Sequence, residues 1–210
     1  MIRIIFSKTN YARYISHLDM VRYISRVFRR AQIPIWYSQG FNPRAHMVFS
    51  APLSVGIAGL NEILDIKLDL PMPLEEVKER IKSNMAQGFD VSDVYETDTQ
   101  LKNIAFAIYN LRFNLKYKDL VDGFWAQPKI EVDKKSKSST QTINLKEEAV
   151  IKQKEDEGEY ITYKIILPCG NERNINPLLF IEALKDFTKV DLPFYIERTS
   201  FLDSKYEIFR

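Results

Sequence analysis

One cysteine, Cys169, in a chain of 210 residues leaves no partner for an internal disulfide, which removes the disulfide-scaffold class and agrees with a reducing compartment. Histidine is as scarce. A zinc site would have to assemble His17, His46, Cys169 and carboxylates scattered along the chain, so no metal and no cofactor is expected. Seven glycines and nine prolines are too few for collagen or a low-complexity chain. Apolar runs are short: the longest, Ile104 to Tyr109 and Pro177 to Ile181, fall far below the roughly 20 residues of a membrane span. Met1 to Phe6 enters an alternating segment with no small-residue cleavage site, so no signal peptide is expected. These absences predict a soluble, cytoplasmic protein with no membrane partner. There is no Walker lysine loop and no G-x-G-x-x-G fingerprint, and Gly56 to Gly59 reads as a turn.

What is present is enough apolar residue, 45% of the chain, for one sizeable core or two small ones. The net charge of +2 conceals a division. Residues 1–59 hold eight bases, Arg3, Lys8, Arg13, Arg22, Arg26, Arg29, Arg30 and Arg44, against the single acid Asp19, a net of +7. The other residues, 60–210, carry 22 bases and 27 acids, a net of −5. Arginine dominates the first group, and its planar fork suits phosphate and carboxylate. An anionic partner for the N-terminal part follows.

Hydrophobic periodicity predicts a strand at Ile2 to Lys8 and a helix at Ser16 to Ala31, with Ser16 as N-cap. Met20, Ile24, Val27, Phe28 and Ala31 form its inward stripe, and Arg22, Arg26, Arg29 and Arg30 fall opposite. Pro34 is expected to end it. Strands follow at His46 to Ser50 and at Asn61 to Leu70, the latter with Leu64, Ile66, Leu68 and Leu70 on one face. A helix opened by Pro73 and stopped by Gly88 comes next, then a strand at Phe89 to Tyr95. The same order is expected to recur from Ile104: strand, short helix at Asp119 to Ala126, strand-like runs at Lys129 to Asp133, Thr140 to Lys152 and Tyr160 to Leu167, helix at Asn176 to Thr188, strand at Phe194 to Phe201. Lys134 to Thr142 and Lys152 to Glu159 read as mobile hairpin ends. The predicted class is α+β, two ferredoxin-like (split βαβ) units in tandem, at residues 1–98 and 104–210.

The densest constellation is Ser16-His17-Leu18-Asp19, then Arg26-x-x-Arg29-Arg30-Ala31, then Tyr37-Ser38-Gln39-Gly40-Phe41-Asn42-Pro43. At these residues the chain resembles an uncharacterised bacterial radical-SAM-associated family, a domain of unknown function. Pro52-Leu53, Gly56, Glu62 and Asp65 extend the resemblance, which is dense over about residues 1–95; beyond them mainly Ile196 to Thr199 is similar. The resemblance implies a domain fused to, or encoded beside, a B12-binding radical-SAM protein, often near genes for ribosomal proteins and a ribonuclease. Many relatives have His-Pro after the Asn-Pro pair; this chain has Arg44-Ala45 and places His46 two positions on. One cysteine cannot supply the three thiolates of a radical-SAM cluster, so the chain is not itself that enzyme.

Three chemistries fit the cluster. Arg22, Arg26, Arg29, Arg30 and Arg44 would clamp RNA phosphates, with Ser38, Asn42 and His46 orienting by hydrogen bonds and Tyr37, Phe41 and Trp36 offering stacking faces. His17 and His46 would alternatively act as acid and base in a small metal-independent RNA-processing enzyme. The same arginines and aromatics would also suit a purely protein-protein interface with the radical-SAM partner. The leading expectation is an accessory or substrate-recognition module that binds RNA.

Overall fold

The computed structural model describes residues 1–135, 140–170 and 173–210. The chain divides into two compact units, residues 1–103 with Arg210, and residues 104–209. The architecture is α+β, with antiparallel ladders and several helices.

In the first unit the elements are β1 (Ile2–Lys8), α1 (His17–Arg30), β2 (Met47–Phe49), β3 (Ala58–Ile66), α2 (Leu74–Ser83) and β4 (Phe89–Glu96). The strands lie in the order β4-β1-β3-β2. Ile4 stands between Leu64 of β3 and Val94 of β4. With Phe6 and Ile66 it meets Met20, Ile24, Val27 and Phe28 of α1 and Val77 and Ile81 of α2 in one buried cluster. Each such side chain contributes roughly 1.5–3 kcal/mol by leaving water.

Ser16 caps α1 as its sequence suggests: its Oγ accepts from the Asp19 amide at 3.2 Å and donates to the Asp19 carboxylate at 2.7 Å. The other end differs from expectation. Gln32 takes a left-handed conformation at φ 52°, and the Ile33 amide donates back to the Phe28 carbonyl at 3.0 Å. That left-handed residue and that bond stop the helix before Pro34 is reached, and Pro34 instead gives its carbonyl to the Asp69 amide at 2.8 Å. The turn expected through Gly59 also closes earlier, at Gly56, so Ala58 and Gly59 open β3. Leu70 lies beyond that strand and is exposed rather than on the core face.

The face of β1 away from the helices is buried too, by Arg3 and Ile5. Arg3 lies opposite Asp65 across the β1–β3 ladder and grips it twice, Nε to Oδ1 at 2.7 Å and Nη2 to Oδ2 at 2.8 Å. Its remaining donors reach the Thr99 hydroxyl at 2.9 Å and carbonyl at 2.8 Å. Burial alone lowers the Arg3 pKa, but the hydrogen bonds and charge of Asp65 outweigh it and hold the guanidinium more firmly protonated than usual. Lys8 is likewise buried, its Nζ donating to the Ile15 carbonyl at 2.6 Å. Two of the eight N-terminal bases are therefore structural.

The second unit runs β5 (Phe106–Asn114), α3 (Lys118–Ala126), β6 (Glu131–Lys135), β7 (Thr140–Asn144), α4 (Leu145–Glu148), β8 (Val150–Glu157), β9 (Tyr160–Pro168), α5 (Leu178–Thr188) and β10 (Phe194–Leu202). Its main strands lie in the order β10-β5-β9-β8, and β6 pairs with β7 as a separate hairpin. The expected mobile hairpin end at Lys134 to Thr142 includes residues 136–139, which lie outside the described residues. The run expected from Thr140 to Lys152 is broken by one helical turn. Asn144 caps that turn by accepting from the Lys146 amide at 3.2 Å, and Leu145 is fully buried within it. The charged stretch from Lys152 is a paired strand, β8, with its turn at Gly158. Trp125 of α3 packs on Phe180 of α5 at 5.2 Å. Nearby chemistry is also internal: buried Tyr109 and Cys169 approach to 3.8 Å, and Arg198 reaches the same sulfur at 3.7 Å. Burial, then the neighbouring Cys169, push the Tyr109 hydroxyl above its ordinary pKa despite Arg198.

Removing one partner of a buried ion pair strands the other charge. Asp65→Ala should therefore lower stability by about 3–5 kcal/mol in urea unfolding, while an Arg3→Met/Asp65→Leu double variant should recover most of that loss.

Candidate functional site

α1 presents its arginines because its apolar stripe is committed to the sheet. Met20, Ile24, Val27 and Phe28 are buried, which leaves Arg22, Arg26, Arg29 and Arg30 exposed. Arg22 makes a 3.4 Å ion pair with Asp19 in which both side chains are more than half exposed, an arrangement worth little in water. Arg30 donates to the Asn84 carbonyl at 2.9 Å, which fixes its stem while leaving its charge uncompensated. Among the described residues no carboxylate pairs with Arg26, Arg29 or Arg44.

The chain after α1 returns as a small hairpin. Ile35 bridges to Leu68, and Tyr37 bridges to Ala45. The Ser38 amide donates to the Arg44 carbonyl at 2.9 Å, and the Arg44 amide donates to Ser38 Oγ at 3.0 Å. Ser38 therefore spends its hydroxyl on the loop itself. Gly40 sits at φ 126° with open space around it, a conformation that favours glycine. The turn it permits leaves Phe41 100% exposed, with Asn42 and Arg44 also exposed. Tyr37 is 38% exposed. Trp36 is different: half-buried, it carries the Lys67 ammonium 4.8 Å over its ring and meets the His46 ring edge-on at 5.8 Å. Its faces are engaged.

The two histidines are not brought together. His17, at the start of α1, lies edge-on to Phe49 at 5.6 Å, whereas His46 lies against Trp36. Ala45, Met47 and Phe49 pack toward the helix-side core. Alternation along extended backbone turns His46 to the opposite face of the sheet. Among the described residues no hydrogen bond or ring contact joins the two imidazoles.

Sequence reasoning passed over a third group. The segment Asn10–Tyr14 is a single 3-10 turn carrying two exposed tyrosines, Tyr11 and Tyr14, with the Arg13 guanidinium 4.8 Å over the Tyr14 ring. The signal was the three-residue spacing, which eclipses side chains in a 3-10 turn; helical and strand periods do not detect it.

A family of bacterial proteins, described as uncharacterized and conserved in bacteria (DUF2344), matches residues 1–177. The chain belongs to DUF2344. The match takes in the whole first unit and ends one residue before α5, so Arg198 and the Ile196 to Thr199 segment fall beyond it. No curated protein matches. For this DUF2344 chain the single cysteine cannot furnish three cluster thiolates. Among the described residues no group of three or more histidine, cysteine, aspartate and glutamate side chains is placed to hold a metal ion. No helix among them is long and apolar enough to cross a membrane.

Because Phe41, Arg26 and Arg29 support no packing, replacing them should leave stability within about 0.5 kcal/mol. Thermal melts of Phe41→Ser and of Arg26→Glu/Arg29→Glu should overlay the wild type.

Proposed function

We propose that this chain is a non-catalytic recognition module that binds RNA through its N-terminal arginine face and works beside a B12-binding radical-SAM protein in the cytoplasm. The observation that carries the reading is the hairpin tip: Phe41 is wholly exposed next to exposed Arg44, in the same unit as Arg26 and Arg29, which no described carboxylate neutralises. Exposed large aromatics set among unpaired guanidinium groups suit a ligand with flat faces and distributed negative charge. Phosphates would take Arg22, Arg26, Arg29, Arg30 and Arg44; bases would stack on Phe41 and Tyr37; Asn42 would orient a base edge.

The strand orders β4-β1-β3-β2 and β10-β5-β9-β8 support reading the units as two ferredoxin-like domains, residues 1–98 and 104–210, the second enlarged by the β6–β7 hairpin. Such domains are a common RNA platform, an argument by analogy. The radical-SAM partner rests on the motif resemblance, and the single cysteine is in keeping with a chain that leaves radical chemistry to another protein. The acid-base alternative with His17 and His46 has no geometric support.

Charge reversal tests the reading. Arg26→Glu/Arg29→Glu should abolish binding of structured RNA in fluorescence anisotropy at unchanged melting temperature. The single Arg44→Ala variant should lower the slope of log affinity against log salt by about 0.7–0.9, the signature of one lost phosphate contact. Undiminished binding in the charge-reversed protein would remove the proposal.

A further inference from the structure

Apart from the arginine face, the first unit holds a cleft of ≈ 440 Å³ lined by Asn10, Tyr11, Arg13, Tyr14 and Gln87. Its size lies within the roughly 300–1,000 Å³ typical of small-ligand sites. Tyr11 is 87% exposed and Tyr14 55%, so one short turn brings two phenol rings to the surface beside the cleft. Arg13 lies over Tyr14 and donates to its hydroxyl at 2.7 Å, so the guanidinium is held on the ring, and Tyr11 lines the same cleft.

The walls are built from both sides. Gly88 gives its carbonyl to the Thr9 amide at 2.7 Å. A Cβ at that position would stand 2.8 Å from the Thr9 carbonyl oxygen and 2.9 Å from Ala12 Cβ; only glycine allows this approach. The neighbouring Ala86 amide donates to the Tyr23 hydroxyl at 2.5 Å, and the Tyr23 ring stacks on Phe89 at 4.6 Å. These contacts hold Gln87 against the Asn10–Tyr14 turn. On the far side, the Arg13 carbonyl accepts from the Gly56 amide at 2.9 Å.

The lining has a distinct chemistry. Two phenol rings and a guanidinium plane supply stacking surface, and two carboxamides, Asn10 and Gln87, each supply a donor and an acceptor. Among the described residues no carboxylate lines the cleft, and Arg13 is its one cation, too few for a polyphosphate. Flat walls with donor-acceptor pairs at the rim match a nucleobase: its faces stack and its edge pairs with amides. We propose that this cleft holds one unpaired base of the RNA carried on the arginine face, an inference that rests on the RNA-binding reading above.

The probes are an oligoadenylate of about 12 nucleotides, an oligouridylate of equal length and an abasic ribose-phosphate strand, each followed by anisotropy at several salt concentrations. Tyr11→Ala and Tyr14→Ala should each weaken oligoadenylate binding about tenfold, leave abasic-strand binding unchanged and keep the salt slope. Gln87→Ala should narrow the preference between adenylate and uridylate. Both tyrosines are exposed, so melting temperatures should match the wild type and separate loss of a contact from loss of fold. Tyrosine variants that hold oligoadenylate as tightly as the wild type, or that lose the abasic strand equally, would overturn the stacking pocket while leaving the arginine face standing. A wild-type protein that binds none of the three strands would overturn both.

Discussion

The Arg3–Asp65 pair sets the geometry on which the first unit depends. It joins directly opposed residues of β1 and β3 by two hydrogen bonds within a buried face. A slip of one residue would separate the pair and turn Ile4 and Phe6 away from the helices, because side chains alternate between faces. The register that keeps the ion pair intact is thus the register that fills the core. The same guanidinium holds Thr99, which ties the segment after β4 to the first strand. An apolar pair would fill the space equally well, but it would not distinguish one register from its neighbours by charge.

How much of this was visible in the residues depends on the range over which each feature is determined. α1 was legible except at its C-terminal end: its stripe, its arginine face and its Ser16 cap are all local, and all stand where the spacing puts them. Most of the main-sheet strands were legible as runs rich in apolar residues. Three features were not. Gln32 ends α1 through a left-handed residue that carries no glycine signature. The helical turn Leu145–Glu148 interrupts a run read as one strand; its Asn144 cap is a local signal that was passed over, whereas the full burial of Leu145 depends on tertiary placement. The paired strand from Val150 to Glu157 was disguised by its charge.

The candidate site divides along the same line. Position on a helix face or in a glycine turn is local, and Arg22, Arg26, Arg29, Arg30 and Phe41 are all exposed where that spacing puts them. Engagement by a partner distant in sequence is not local. Lys67 over Trp36, Asn84 under Arg30 and Asp65 around Arg3 each change what a residue is available to do, and none is announced by spacing. The N-terminal charge excess is real, but the structure sorts it into buried bases that hold the fold and surface bases that can meet a ligand. His17 and His46 likewise have different long-range neighbours, Phe49 for the first and Trp36 for the second.

β8 stands at the end of its strand order, and Lys152, Gln153, Lys154, Glu155 and Asp156 are all exposed along it. A free strand edge is a template on which another chain can extend a ladder. Any newcomer here would have to strip water from four formal charges before forming its first backbone bonds, so fibril growth from this edge is discouraged. The cluster that disguised the strand in the sequence therefore has the character of a gatekeeper against edge-to-edge pairing.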